Sequence, residues 1–286
     1  DDVKEWFRTY YGPNNAVLAI AGDVTVADAK TRVEKFFGHI PPGPPIAKHV
    51  AWTAKMTGTK RGVLQDRVPQ ARITMVWNFP QWGSSEETRL DIASDVLSAG
   101  KSSRLYKRLV YDDQIATSVS ATISPGEIGS QFNITATAKP GGELAAIEKA
   151  IREELERFLK DGPTPEELER TKIQYRAQFL RGIERIGGFG GKSDILATNA
   201  VYGGDPGLYK DRLAREEAAT AEDVKKASQA WLSDGVYILE VHPFAKLAAA
   251  GMGVDRSTLP VVGQPPTAKL PATERAKLSN GLQLVV

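Results

Sequence analysis

Cysteine is absent from all 286 residues, and histidine occurs three times. The first absence excludes a disulfide framework, a cysteine nucleophile, an iron–sulfur cluster and any cysteine-ligated zinc. The second leaves little material for a histidine-built metal site. His39, His49 and His242 do not fall at metal-ligand spacing, and neither His-x-x-Glu-His nor His-Glu-x-x-His occurs. An excess of one charge is also missing: Lys+Arg 37 against Asp+Glu 35 leaves +2, too balanced for a dedicated nucleic-acid or membrane-surface binder. No apolar run approaches the ~20 residues that would span a bilayer. What is present, 41% hydrophobic and 25% charged residues, is a globular composition with room for two domains of ordinary size or one large one. The opening Asp1-Asp2-Val3-Lys4 reads as a helix already under way rather than a secretory leader, and both ends read as cut.

Residues 1–40 read as helix, strand, helix. Val3, Trp6, Phe7 and Tyr10 fall at helical spacing, and Gly12-Pro13-Asn14-Asn15 ends that helix. Ala16 to Ala21 reads as a buried strand, and Thr25 with Asp28 opens a helix whose Ala29, Val33, Phe36 and Phe37 face a core. Such a unit needs a sheet beside it, which so short a stretch cannot supply by itself. Pro41-Pro42-Gly43-Pro44-Pro45 then marks residues 41–60 as a linker laid over a surface.

Residues 61–243 read as a second α+β domain: an antiparallel-rich mixed sheet of about five or six strands with helices packed on one face. Strands are expected from Val63, over 71–79, 115–124 and 130–138, and from Val236 to Val241. Phe132, Ile134, Ala136 and Ala138 alternate onto one buried face. Ser84 with Glu87 makes a capping box for a first helix, and a short helix runs from Ser102 to about Tyr111. Helix 143–160 has the cleanest apolar stripe, with Leu144, Ile147, Ile151, Leu155 and Phe158. Thr164-Pro165-Glu166-Glu167 opens the next, and further helices fall near 190–201, 207–217 and 221–232. The last forty residues read as a linker over 244–277. Residues 278–286, with Asn280-Gly281 as a hairpin signal, then open a strand whose partner has no room to form in full. Asp2-Val3-Lys4 and Asp223-Val224-Lys225 each open a helix that leads through a turn into a strand, about 220 residues apart. Either this echo is chance likeness, or residues 1–40 are the tail of one domain and 61–243 nearly the whole of its sibling.

The candidate chemistry is thin. Gly100-Lys101-Ser102 and Gly191-Lys192-Ser193 look like the end of a phosphate-binding loop. Ile186 and Asp95 stand where that loop needs glycine, and both segments follow helices where it must follow a strand. The cluster Gly187-Gly188-Phe189-Gly190-Gly191 is either a helix break that lets two backbones approach or a hinge loop that touches substrate. Most carboxylates sit at helix starts or in patterns such as Glu153/Arg157, which read as solvated helix faces. No catalytic and no metal-ligating residue is assigned.

Several stretches resemble the pitrilysin/insulinase-type zinc metallopeptidases, the inverzincins that include the mitochondrial processing peptidase and the cytochrome bc1 core proteins. Asp2-Val3-Lys4 through Tyr10-Tyr11-Gly12-Pro13-Asn14-Asn15-Ala16 to Gly22-Asp23-Val24 looks like the close of that family's first domain. Ser102-Ser103-Arg104-Leu105-Tyr106-Lys107-Arg108-Leu109, continuing to Ile115-Ala116-Thr117-Ser118-Val119, looks like the helix and strand that mark a second. Phe189-Gly190-Gly191-Lys192 resembles a turn common in bacterial members, and Leu278-Ser279-Asn280-Gly281-Leu282 the first strand of a next half.

The resemblance implies a parent of two halves closing as a clamshell around a chamber for peptides or partly unfolded proteins. Zinc is held by a His-x-x-Glu-His region in a domain that would precede Asp1, so this chain carries no cofactor and is inactive alone. In the family's partner half, an Arg at the end of the helix equivalent to 102–110 and a Tyr seven residues later reach substrate; here Val110 and Thr117 stand there. That departure fits the non-catalytic second domain of the catalytic half, and equally a catalytically dead scaffold or assembly subunit. The expected partners are the catalytic domain, the second half and a peptide, with self-association open to any uncovered surface. Localisation is unknown; an exported or periplasmic bacterial parent is an analogy with long relatives.

Overall fold

The structure, a computed structural model, describes residues 1–244 and, beyond them, 275–277, 279, 281 and 283–285. They fall in two units, Asp1–Ala248 and Ala249–Val286. In chain order the first holds α1 (Asp2–Tyr10), α2 (Val26–Phe37), β1 (Thr59–Asp66), β2 (Arg72–Phe79), α3 (Ser85–Ser98), a π-helical segment (Tyr106–Asp112), β3 (Ala116–Ser124), β4 (Ser130–Ala138), α4 (Leu144–Asp161), α5 (Pro165–Ile183), α6 (Lys192–Gly203), α7 (Tyr209–Ala218), α8 (Ala221–Leu232) and β5 (Val236–Pro243).

The five strands make one mixed sheet in the order β1-β5-β2-β4-β3. β1 runs parallel to β5, and the other neighbours are antiparallel. Period-two alternation sends Ile73, Met75, Trp77 and Phe79 of β2 and Phe132, Ile134, Ala136 and Ala138 of β4 into the same buried layer. α3, α4 and α8 cover that layer. All five stripe residues of α4 are buried, and Leu90, Val96, Leu97 and Val224 join them. The one-sided α+β architecture expected from the sequence is the one observed. α5 to α7 form an outer layer that buries far less, and α7 has no fully buried residue.

The N-terminal segment departs from expectation. α1 and α2 form, but Trp6, Phe7, Phe36 and Phe37 are all more than half exposed, and Ala16–Ala21 is extended chain with no ladder partner among the described residues. The physical reason is the one that the pattern contains: a strand needs a neighbour to bond to, and an apolar helix face needs a layer to bury against. The Asp-Val-Lys echo makes the contrast plain. Val224 in α8 is fully buried and leads into β5 in the sheet interior, whereas Val3 in α1 is 69% exposed.

Beyond the proline run, residues 52–58 are bonded to the sheet domain. Trp52 N–H donates to the Ile128 carbonyl (3.0 Å), Asn78 to the Ala54 carbonyl (2.9 Å), Lys55 Nζ to the Ala230 carbonyl (2.9 Å), and Gly58 N–H to Asp234 (2.8 Å). β1 begins at Thr59, two residues inside the span read as linker, because pairing with Val236 starts there.

In the second unit, β6 (Arg275–Lys277) pairs antiparallel with β7 (Gln283–Val285), and Gly281 lies between them at φ 89°. The Asn-Gly signal did mark a turn. Strand pairing takes in the last three residues of the span read as linker, and each of the two strands is three residues long. The rest of that linker, 245–274, lies outside the described residues.

Candidate functional site

The residues singled out by sequence fall in separate places. His39 and His49 are exposed on the N-terminal segment. His242 near the end of β5 lies 3.1 Å from Glu240, whose other oxygen pairs with Arg61. Among the described residues no group of three or more His, Cys, Asp or Glu side chains is placed to hold a metal ion, so a zinc centre does not fit the donor set there. Gly100-Lys101-Ser102 and Gly191-Lys192-Ser193 follow α3 and α5, not strands.

Val110 lies in the π-helical segment and packs part-buried against the core; Thr117 sits exposed on β3 where a bulge shifts the register between Ala116 and Ser118. The expected short helix is thus wound one residue looser over Tyr106–Asp112, and Gln114 just beyond it has φ 53°, a left-handed conformation rare outside glycine. The Ser-Ser-Arg-Leu-Tyr motif around it is structural. Ser103 Oγ donates to the Gly100 carbonyl (2.7 Å) and Leu105 is fully buried. Arg104 grips Glu167 with two parallel bonds of 2.8 and 2.6 Å while also donating to the Gly162 carbonyl (2.9 Å). Burial alone would raise the Glu167 carboxyl, but Arg104 and the Thr164 N–H outweigh it and hold it below the usual range. Glu167 is the acid of a complete capping box with Thr164, so one carboxylate starts α5 and anchors the motif. The Glu153/Arg157 pair expected from spacing does not form: Glu153 lies 3.1 Å from Arg108, and Arg157 turns to Glu154, because both acids face the Arg108 side of α4.

The glycine cluster behaves as a built turn. Gly188 and Gly190 have φ 79° and 73°, and a Cβ at Gly182 of α5 would lie 2.6 Å from the Gly190 carbonyl oxygen, so backbone meets backbone there. Arg185 donates to the Phe189 carbonyl (2.8 Å), and Gly190 N–H to Asp194 (2.7 Å). The turn leaves the Phe189 ring 92% exposed. Beside it opens a cleft of about 530 Å³ between α5, α6 and α7, reaching Asp91 of α3.

The cleft is walled by aromatic rings: Phe179 stacks on Tyr209 with centroids 6.0 Å apart, and Trp82 lies 5.9 Å from Tyr202. On its α3 side Arg212 reaches three carboxylates, Glu87 at 3.2 Å, Asp91 at 3.1 Å and Glu216 at 3.0 Å. Burial opposes the Arg212 charge, but Glu87, Asp91 and Glu216 outweigh it and the guanidinium is held charged. Burial pushes the Asp91 carboxyl up to about 6, with Arg212 pulling the other way. Burial likewise raises the Tyr175 phenol, with Asp91 and Asp95 adding to it. Glu87 was expected to complete a capping box at Ser84. Ser84 Oγ does accept from Glu87 N–H (3.2 Å), but the returning bond goes to Gly83 N–H (2.8 Å) because the other carboxylate oxygen faces Arg212. The hub was missed in sequence because Arg212 stands more than a hundred residues from Glu87 and Asp91. The one local signal was two acids four apart on an otherwise apolar helix face, beside Leu90 and Ala93.

A family profile described as "Peptidase M16 inactive domain" matches residues 1–175, more than half of the chain and across both α1 and the sheet. The chain belongs to the peptidase M16 family. Within that family it matches the inactive domain, which agrees with the inverzincin resemblance of the motifs. Zinc protease PqqE of Helicobacter pylori is 26% identical over 211 residues, covering 71% of this chain and 46% of the relative. A protease structure from Helicobacter pylori superposes with TM-score 0.76 at 23% identity, over 85% of this chain and 59% of that one. The peptidase M16 inactive domain from Pseudomonas fluorescens gives 0.63 at 19%, over 78% and 52%. These two likenesses establish the M16 fold. The chain spans about half the length of the curated relatives it matches, all three of which are named zinc proteases.

Proposed function

We propose that this M16 chain is the non-catalytic part of a zinc-dependent endopeptidase that cleaves peptides or partly unfolded proteins, and that it forms one wall of the chamber and the interface with the catalytic domain. The observation that carries the reading is the inactive-domain match running through α1 and α2 into the sheet. Within that match, two amphipathic helices and an extended segment with no ladder partner among the described residues leave their apolar side chains exposed. Such surfaces are stable in water when another domain covers them. Zinc would sit in that other domain, consistent with relatives named zinc proteases. A further part of the proposal is an exported bacterial parent, by analogy with the structurally similar periplasmic protease PqqL from Escherichia coli; cell fractionation tests it.

The test is reconstitution. The chain is produced with and without the polypeptide encoded directly ahead of it, and hydrolysis of an unfolded protein and bound zinc are followed together. Zinc and chelator-sensitive hydrolysis should appear only when both are present. Hydrolysis by this chain alone would overturn the reading, and a preceding segment whose His-x-x-Glu-His is degraded would replace it with a scaffold.

A further inference from the structure

We propose that a small cavity where α3, α7 and α8 meet binds a small oxyanion of the phosphate class. The cavity lies apart from the cleft described above, and the proposal does not depend on the reading of the parent as a peptidase.

Two polar atoms are buried there without partners. Thr88 of α3 is 2% exposed, and its hydroxyl makes no hydrogen bond among the described residues. The Nε–H of Arg215 in α7 is likewise buried with no acceptor among them. A buried polar group left unpaired carries the full cost of leaving water, and folded proteins keep few of them. Thr88 and Arg215 line the same cavity, whose volume of about 170 Å³ is well above what a single water requires.

Charge decides what such a cavity takes. Arg215 directs Nη1 to the Gly83 carbonyl (3.0 Å), while the acids next to it in sequence, Glu216 and Glu217, pair with Arg212 and Arg176. Arg215 therefore carries a charge that no carboxylate among the described residues balances. Arg89, also in the lining, reaches Asp223 only at 3.9 Å. Asp223 is the one acid of the lining, and its Oδ2 is occupied by the Thr220 N–H (3.1 Å) and hydroxyl (2.6 Å) at the start of α8. Two guanidiniums against one carboxylate leave the cavity positive. The first turns of α3 and α8 open onto it at Ser85 and Asp223, against one helix C-terminus, that of α7 at Ala218. Helix N-termini favour anions. A fitting ligand accepts from the Arg215 Nε–H, meets the Thr88 hydroxyl and balances the charge. A small oxyanion does all three, a water leaves the charge unbalanced, and a cation is repelled. Bound there, the oxyanion ties the end of α7 to the starts of α3 and α8.

The experiment follows urea unfolding of the 286-residue chain by circular dichroism in rising inorganic phosphate, with sodium chloride at matched ionic strength as the control. The urea midpoint should rise with phosphate and level off, half of the rise being reached in the millimolar range, as mass action requires of a ligand that binds only the folded state. Inorganic sulfate, of the same shape and sign, should act alike. Thr88→Val separates the ligand from packing. In chloride it should match or exceed the wild-type midpoint, because it removes an unpaired buried hydroxyl, and in phosphate it should lose most of the rise. Arg215→Met should lose the rise as well; should it fail to fold without its bond to Gly83, Thr88→Val alone decides. No rise in phosphate, an equal rise in chloride, or a phosphate rise that persists undiminished in Thr88→Val each overturns the proposal. The assay needs no catalytic partner, so its failure is distinct from a failure of reconstitution.

Discussion

Replacing Arg212 by methionine tests how the outer helical layer is held to the rest of the fold. The substitution keeps the stem and removes a charge that bridges α7 to α3 through Glu87 and Asp91. The Glu87 side chain is only 1% exposed, so it cannot turn to water once its partner has gone. Breaking a buried pair costs roughly 3–5 kcal/mol. Arg212 itself is 34% exposed, and solvent screens part of the interaction, so a loss of about 2–3 kcal/mol at pH 7 is expected. The pH dependence has a definite sign. Asp91 is pushed up to about 6 by burial, above its ordinary range, so the folded state holds a proton that the unfolded state has released. Stability from this group is therefore present in acid and is lost as pH rises through about 4 to 6. Removing Arg212 takes away the charge that lowers the Asp91 pKa and raises it further, so acid restores the variant more than the wild type. In urea unfolding followed by circular dichroism, the gap between the two should narrow by about half from pH 7 to pH 5. A loss under about 1 kcal/mol at pH 7, or a gap that widens in acid, would refute the reasoning.

Thr164→Ala breaks the α5 capping box and should cost about 1 kcal/mol, read as a lower urea midpoint at unchanged slope. Phe158→Ala empties a fully buried site beneath the Arg104 guanidinium and should cost roughly 3–5 kcal/mol in the same assay. Trp6→Ser alters a side chain that is 57% exposed. It should change the stability of this chain by less than about 0.5 kcal/mol, while weakening reconstitution with the preceding polypeptide.

Much of the fold was legible because periodicity is local. The alternation in β4 and the stripe of α4 each state which side is buried, and the structure buries those side chains. The helix starts at Thr164 and Ser84 were legible for the same reason, since a cap needs only a neighbour three residues on. The π-helical winding of Tyr106–Asp112 was not, because it depends on how Leu105 and Leu109 enter a core made by distant elements. The Arg212 hub was out of reach for a related reason: its charges meet through tertiary packing. The glycine turn lay between these cases. Its composition signalled a break, but only the approach of Gly190 to Gly182 shows two backbones in contact, and only the structure shows the cleft beside it. The spacing in α1 and α2 was legible as two helices with apolar faces, but what covers those faces was not, since periodicity reports that a face is apolar and not what packs on it.

The central claim, that the catalytic metal belongs to another part of the parent, is tested most directly by elemental analysis of the purified chain after metal-free dialysis. We expect zinc near zero per chain and no chelator-sensitive hydrolysis of peptides. A stoichiometry close to one, lost when His39, His49 or His242 is replaced, would place a metal site in this chain and contradict the non-catalytic assignment.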